Sequence, residues 1–414
     1  MKKLILIALS LIFLLAACSP AAKDSTEPEG RRAVMKQQPI QPVNSDFVSG
    51  VNSFGFESAD ILYNTDKNLA ISPVSLELAL AMTRTGAAGN TAGEMAKALS
   101  LAGISDDDIV SACRSLIWRS NTGGMEAANS IWMDKEYPFS KDFTDTCTED
   151  FMADAFPLVI PGAMKAINDW AKDKTHGKID KIISQELDPL TKIVLCNALY
   201  FLGDWEVPFE ANDSYDGDFA APGGAVTVSF MNDERGVPYY KNDEFSMISL
   251  SFKSEENEGK YAMAFLLPAE GSDVAAMLSS LNAGSFSEAL AGLEDTQVKI
   301  KLPKFDYSFF TSFKETLETL GMNEAFTGSA DFSGMTGGDN DLFIFDVLHK
   351  CYIRIDELGA EAAAVTEVQM GLTAVMPPEN LVEFYADRPF VFAIYSQEDG
   401  TVAFMGAVND PSQE

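Results

Sequence analysis

The stretch from residue 356 to 378, D-E-L-G-A-E-A-A-A-V-T-E-V-Q-M-G-L-T-A-V-M-P-P, demands an unusual host structure. From Ala360 onward the even positions, Ala360, Ala362, Ala364, Thr366, Val368, Met370 and Leu372, are small or apolar throughout. Every charged or amide side chain falls on the odd positions, at Glu361, Glu367 and Gln369. A period of two puts these sets on opposite faces of a strand, one fit for burial and one for water. Yet the alanines at 360–364 favour helix and disfavour strand. Two readings therefore stand on these residues: a segment that is mobile first and enters a sheet later, its small side chains leading, or an alanine-rich surface helix ended by Pro377.

Both kinds of regular element are signalled elsewhere. Residues 73–82 follow Ser72, a natural N-cap, with Pro73 at the first helical position and apolar side chains nearly all round, as in a buried helix. A second helix is expected over 164–176, with Ile167, Trp170 and Ala171 on one face and Gly177 as its stop. Runs rich in β-branched and aromatic residues predict strands at 193–202, 261–267, 296–302, 342–355 and 390–395. The mixture is α+β with long, partly buried strands. Although 414 residues suggest two or three domains by size, no linker-like stretch or repeat interrupts 44–411, which reads as one continuous unit.

Charge and histidine content remove several functions. With 62 Asp+Glu against 30 Lys+Arg, a formal charge of −32 and no basic run, the chain is unsuited to nucleic acid or an anionic membrane surface. Only His176 and His349 are present, so a three-His zinc site or a dense proton relay has no ligands. G-x-S-x-G, G-x-G-x-x-G, a G-K-[ST] phosphate loop and H-E-x-x-H are all missing. The chain therefore reads as a non-enzyme without metal or cofactor.

At the N-terminus, Lys2 and Lys3 precede an apolar run from Leu4 to Ala17, 14 residues long and too short for a spanning helix of about 20. It suits a cleaved export signal. Leu15-Ala16-Ala17-Cys18 resembles a bacterial lipobox, which makes residues 1–17 a lipoprotein signal peptide and Cys18 the lipidated first residue of an anchored, cell-surface protein; simple secretion is the alternative. Residues 18–43 then form a tether rich in Ala, Pro, Gln and Ser. The other cysteines, Cys113, Cys147, Cys196 and Cys351, form no C-x-x-C pair. They read as buried single thiols, with a Cys113–Cys147 bridge left open.

Residues 357–366, E-L-G-A-E-A-A-A-V-T, resemble the proximal hinge of the serpin family, typically E-E-G-T-E-A-A-A-A-T. The resemblance continues in order through N-L-A-I-S-P-V-S-L-E-L-A-L from Asn68, G-A-A-G-N-T from Gly86, N-D-W from Asn168 and T-H-G-K-I from Thr175. It runs on through N-A-L-Y-F-L-G-D-W-E-V-P-F from Asn197, L-P-K-F from Leu302, A-D-F-S-G from Ala330, His349-Lys350, A-D-R-P-F from Ala386 and Phe404-Met405-Gly406. It implies a serpin fold over 44–414: three β-sheets, about nine helices, a metastable native state and an exposed reactive-centre loop from 357 to about 385. The implied function is inhibition of serine endopeptidases, in which the loop is attacked as substrate and inserts into the central sheet before the acyl-enzyme can be hydrolysed. A non-inhibitory serpin acting as a surface-binding or chaperone-like protein is the alternative.

By the same resemblance the hinge comprises Glu357, Gly359, Ala360, Glu361, Ala362, Ala363, Ala364 and Thr366. No proline lies between 357 and 376 and no inward position is charged, either of which would stall insertion. Ala360 stands in place of the usual Thr or Ser but is equally small, whereas Leu358 in place of the second glutamate and the bulkier Val365 are departures that bear on insertion speed. The family's 17-residue spacing from Glu357 puts the reactive bond at Thr373-Ala374, with Met370, Leu372, Val375 and Met376 as alternatives. No Lys or Arg occurs from 357 to 387, which excludes a trypsin-like target and favours elastase-like enzymes, then chymotrypsin- or subtilisin-like ones. Ser72, Ser75, Asn197 and His349 match the shutter, where the central strands part. Trp205, Lys304 and Glu357 match the breach at the top of the sheet, with a Glu357–Lys304 ion pair expected. Residues 104–120, with three consecutive aspartates and two arginines, are unlike a heparin-binding helix. The expected partner is a serine protease held covalently by a monomer that touches a membrane only through its lipid. Replacing the lipidation residue, C18A, should move the protein from the membrane fraction to the soluble exported fraction; an unchanged distribution would remove the anchor.

Overall fold

The structure, a computed structural model, describes residues 43–122, 125–189, 191–254, 259–338, 341–360 and 381–413. Cys18 and 361–380, which contain the expected reactive bond and most of the hinge, lie outside the described residues. Among the described residues are ten α-helices and two short 3-10 turns, against about nine helices expected.

A seven-stranded sheet organises the site. In chain order its strands are β1 (Met125–Asp134), β2 (Asp154–Leu158), β3 (Ile193–Phe201), β4 (Gly203–Asp204), β5 (Phe305–Ser312), β6 (Val347–Asp356) and β7 (Gly359–Ala360). They are ordered β2-β1-β3-β6-β7-β4, with β5 on the outer side of β6. Below, β3 and β6 pair directly and in parallel, from Leu195 opposite Val347 to Tyr200 opposite Tyr352. Above, β7 lies between β6 and β4, antiparallel to both.

Nine further strands form a second hydrogen-bonded network. One of them, Gly224–Lys241, is 18 residues long. It pairs with Tyr215–Ala221 at one end, Glu294–Pro303 through its middle and Phe245–Ser251 at the other. Because this strand is long enough to serve two groups of partners, the second and third expected sheets are continuous in their hydrogen bonding.

Helix α1 (Ser45–Leu62) and helix α2 (Pro73–Arg84) pack in the main core. As the sequence predicts, Ser72 caps α2 by accepting from Ser75 N–H at 3.1 Å, and all but the last residue of the helix are buried. Helix α3 (Asp106–Thr122) precedes β1. Helix α4 (Ala163–Lys174) covers the outer face of the sheet, burying Ile167, Trp170 and Ala171 in a second core with Trp132, Phe156, Val194 and Leu348. It ends earlier than expected because His176 and Gly177 both take positive φ, at 49° and 83°.

The strand expected over 342–355 starts only at Val347. Leu342 and Ile344 are buried without joining a ladder, and the Asp346 carboxylate accepts from Val347 N–H at 2.7 Å and Ser312 hydroxyl at 2.6 Å, fixing the entry. An apolar run signals burial, not pairing. Cys113, Cys147, Cys196 and Cys351 are free, buried thiols, so the Cys113–Cys147 bridge is not formed.

Candidate functional site

The site is built along the β3–β6 seam. In the pleat, Asn129 of β1 lies opposite Asn197 of β3, and Asn197 lies opposite His349 of β6, so three polar side chains cross three adjacent strands in register. All three are buried. The N-terminus of α2 approaches them: Ser72 N–H donates to His349 Nε2 at 3.1 Å, and the Ser72 hydroxyl donates to Ala403 O at 2.7 Å. A nitrogen that accepts cannot carry the proton, so His349 is the Nδ1–H tautomer and donates to Asn197 Oδ1 at 3.0 Å. The Asn197 amide donates to Asn129 Oδ1 at 2.7 Å, to Ser75 O at 3.2 Å and to the Ser75 hydroxyl. Burial pushes the His349 pKa down to about 3, so the imidazole is neutral and its part here is hydrogen bonding. The network ties helix to sheet and closes the seam.

At the top of the seam, β7 occupies a wedge. Trp205 is fully buried, stacks on Phe252 with ring centroids 4.6 Å apart, and donates from its indole to Asp356 O at 3.0 Å. Its backbone N–H donates to Leu358 O at 2.8 Å, and Phe209 N–H donates to Glu357 O at 2.9 Å. The backbone of residue 358 makes the contact, which explains why leucine can stand where the family has glutamate. Glu357 Oε1 lies 2.5 Å from Lys304 Nζ and accepts from the Ser214 hydroxyl at 2.7 Å. Desolvation opposes ionisation of Glu357, but the Lys304 and Ser214 hydrogen bonds outweigh it and hold the carboxyl below its ordinary value. Gly359 has φ +144°, and a Cβ there would lie 2.1 Å from Gly203 O, so only glycine fits between the flanking backbones.

A third element bridges the seam from outside. Trp170 of α4 donates to Asp154 Oδ2 of β2 at 3.0 Å, and Lys174 Nζ lies 2.8 Å from the same oxygen. The chain leaving α4 reaches β6, where Lys350 Nζ donates to Lys181 O at 2.7 Å and Lys178 sits over the Tyr352 ring at 5.5 Å.

Two groups of expected residues are thus assembled. Ser72, Ser75, Asn197 and His349 meet at mid-sheet. Trp205, Lys304, Glu357, Gly359 and Ala360 meet at its upper end, roughly 25 Å away at about 3.3 Å per residue along β6. Glu361, Ala362, Ala363, Ala364, Thr366, Met370, Leu372, Thr373, Ala374, Val375 and Met376 lie outside the described residues. Asn129, Ser214 and Asp356 were missed by sequence reasoning; of these only Asn129 carried a signal, as an amide within an otherwise strand-like run. In α3, Asp106, Asp107 and Asp108 form the first turn, while Arg119 turns inward to Asp399 at 2.7 Å and Arg114 pairs with Asp150. The helix presents no basic face.

Comparison with known proteins agrees with this geometry. Residues 49–411 match the family model described as Serpin (serine protease inhibitor), and the chain belongs to the serpin family. It is 35% identical over 402 residues to an uncharacterized serpin-like protein of Thermococcus kodakarensis, covering 95% of this chain and 91% of that one. It is 32% identical over 367 residues to the leukocyte elastase inhibitor of Bos taurus, covering 84% and 94%. The crystal structure of tengpin, a thermophilic serpin, in its native state superposes with a TM-score of 0.83 at 31% identity, over 93% of this chain and 100% of that one. Its latent state gives 0.75 at 30% identity, over 89% and 98%.

Two outcomes follow from the contacts. G359V should expel β7 and lower native stability by about 1–3 kcal/mol, read by urea unfolding and by lost amide protection at 355–360. Between pH 6.5 and about 3 the unfolded chain binds a proton that native His349 refuses. His349 should therefore contribute a loss of stability on acidification of up to about 1.4 kcal/mol per pH unit, a contribution that disappears in H349Q. Equal slopes in both proteins would refute it.

Proposed function

We propose that this chain inhibits a serine endopeptidase by presenting its loop as a substrate and inserting the cleaved loop between β3 and β6. The observation that carries this reading is the position of β7. Its two residues, Gly359 and Ala360, fill the wedge between β4 and β6. The strands on either side keep one offset across the wedge and below it, 152 positions (355 against 203, 349 against 197). A strand that continued from Ala360 would meet no register break. In that continuation Ala362 would lie opposite Ile353, Ala364 opposite Cys351, and Thr366 between His349 and Asn197, where a hydroxyl can take up the hydrogen bonds that parting breaks.

Insertion also exchanges ladder types. One parallel pairing would give way to two antiparallel ones, and antiparallel pairing is slightly stronger per residue. With about 10 to 14 ladder bonds formed at a net of about 0.5 to 1.5 kcal/mol each, the new ladders contribute on the order of 10 kcal/mol. That suffices to hold a captured acyl-enzyme away from its working geometry.

The candidate reactive bonds are small, aliphatic or medium apolar, and a relative bears the name leukocyte elastase inhibitor. Both support an elastase-like target first and a chymotrypsin- or subtilisin-like target second. The protein would act as a monomer, exported under residues 1–17 and held at the cell surface through Cys18. Mixing it with pancreatic elastase should give an SDS-resistant band near the summed masses and release a C-terminal peptide beginning at Ala374. Cleavage with neither complex nor gain in heat stability would favour the surface-binding alternative.

A further inference from the structure

Cys351 follows His349 by two residues on the same inward face of β6, and both are fully buried. Its Sγ lies 3.0 Å from His349 Nε2, the nitrogen that also accepts from Ser72 N–H. The groups that face this pair are uncharged: Ser72 at the start of α2, Asn197 on β3, and Tyr307 on β5, whose phenol is buried and donates to Leu69 O. In the closed sheet the pair is chemically silent. Burial pushes the thiol well above its ordinary value and the imidazole down to about 3, so neither thiolate nor imidazolium forms.

That silence depends on the seam. When β3 and β6 part, the His349–Asn197 bond breaks and water enters. The imidazole then regains the basicity of a solvated histidine, about 3 Å from a thiol that is no longer desolvated. Among the described cysteines, burial raises the Cys113 thiol well above its ordinary value, and Cys196 lies on the outer-face core of the same sheet.

We propose that Cys351 is a gated modification site, a thiol that reacts with small electrophiles of the hydroperoxide class only while β3 and β6 are apart, and whose oxidation blocks strand insertion. The proposal rests on the sheet opening described above. In the reaction His349 Nε2 takes the thiol proton and the thiolate attacks one peroxide oxygen. An S–O bond forms as the O–O bond breaks, and the departing oxygen receives the proton from the imidazolium. Sulfur is oxidised by two electrons to a sulfenic acid, and the peroxide is reduced to water or an alcohol. The added oxygen occupies the inward face that an inserting strand must cover.

The test treats the full-length protein with hydrogen peroxide and dimedone, or with iodoacetamide, at 25 °C and just below its unfolding temperature, and maps adducts by mass spectrometry. Cys351 should label at least tenfold faster when warm while Cys113 stays unlabelled, and peroxide should lower covalent complex formation with elastase at least tenfold. C351A and C351S should form complexes that resist peroxide, and C351S retains a hydroxyl donor to His349. Equal labelling of Cys351 and Cys113, or full inhibition by protein sulfenylated at Cys351, would overturn the proposal. If untreated protein and both variants form no complex, the inhibitory reading fails instead, and the labelling ratio alone then decides the gate.

Discussion

The contact between the neutral imidazole of His349 and the amide of Asn197 closes a sheet that is paired across this line in parallel. It holds because the groups that touch it are partnered: Ser72 N–H serves Nε2, while Asn129 and Ser75 accept from the Asn197 amide. A buried network of this kind is stable while complete and costly when broken, since each freed group is then desolvated without compensation. The network therefore holds the seam shut.

The upper end of the same line is built around β7. β7 is two residues long, antiparallel to both neighbours, and sits where only glycine can pass the backbone of Gly203. Trp205 fixes the turn through its indole and its backbone, while Glu357 is held by Lys304 and Ser214 in a half-shielded setting. Partial exposure of Lys304 limits what that ion pair adds to stability. It ties Glu357, the residue that follows β6, to Lys304. The bridge from α4 to Lys350 and Tyr352 crosses the seam on the outer face, so parting must also stretch contacts remote from the polar network.

Much of this was legible in the residues. Ser72 before Pro73 announced a capped, buried helix, and the cap is present. Ile167, Trp170 and Ala171 announced one buried face. The hinge pattern and its spaced companions pointed to the serpin family, which the match over 49–411 establishes. Less was legible where burial and pairing separate. Leu342 and Ile344 look like strand residues but are buried outside any ladder. Asn129 and Ser214 gained their places from partners 68 and 143 positions away, which no local pattern encodes.

By itself the sequence determined the α+β class and the small, uncharged character of the even positions from Ala360 to Leu372, because these depend on side-chain size and a period of two. It also determined that residues 357–387 carry no Lys or Arg. Only the tertiary structure decided that His349 is neutral, that its proton sits on Nδ1, that Cys113 and Cys147 remain free thiols, and that Cys351 lies against the imidazole. Protonation, pairing and reactivity depend on what surrounds a group in space, and here those surroundings are assembled from β1, β3, β5, β6 and the start of α2.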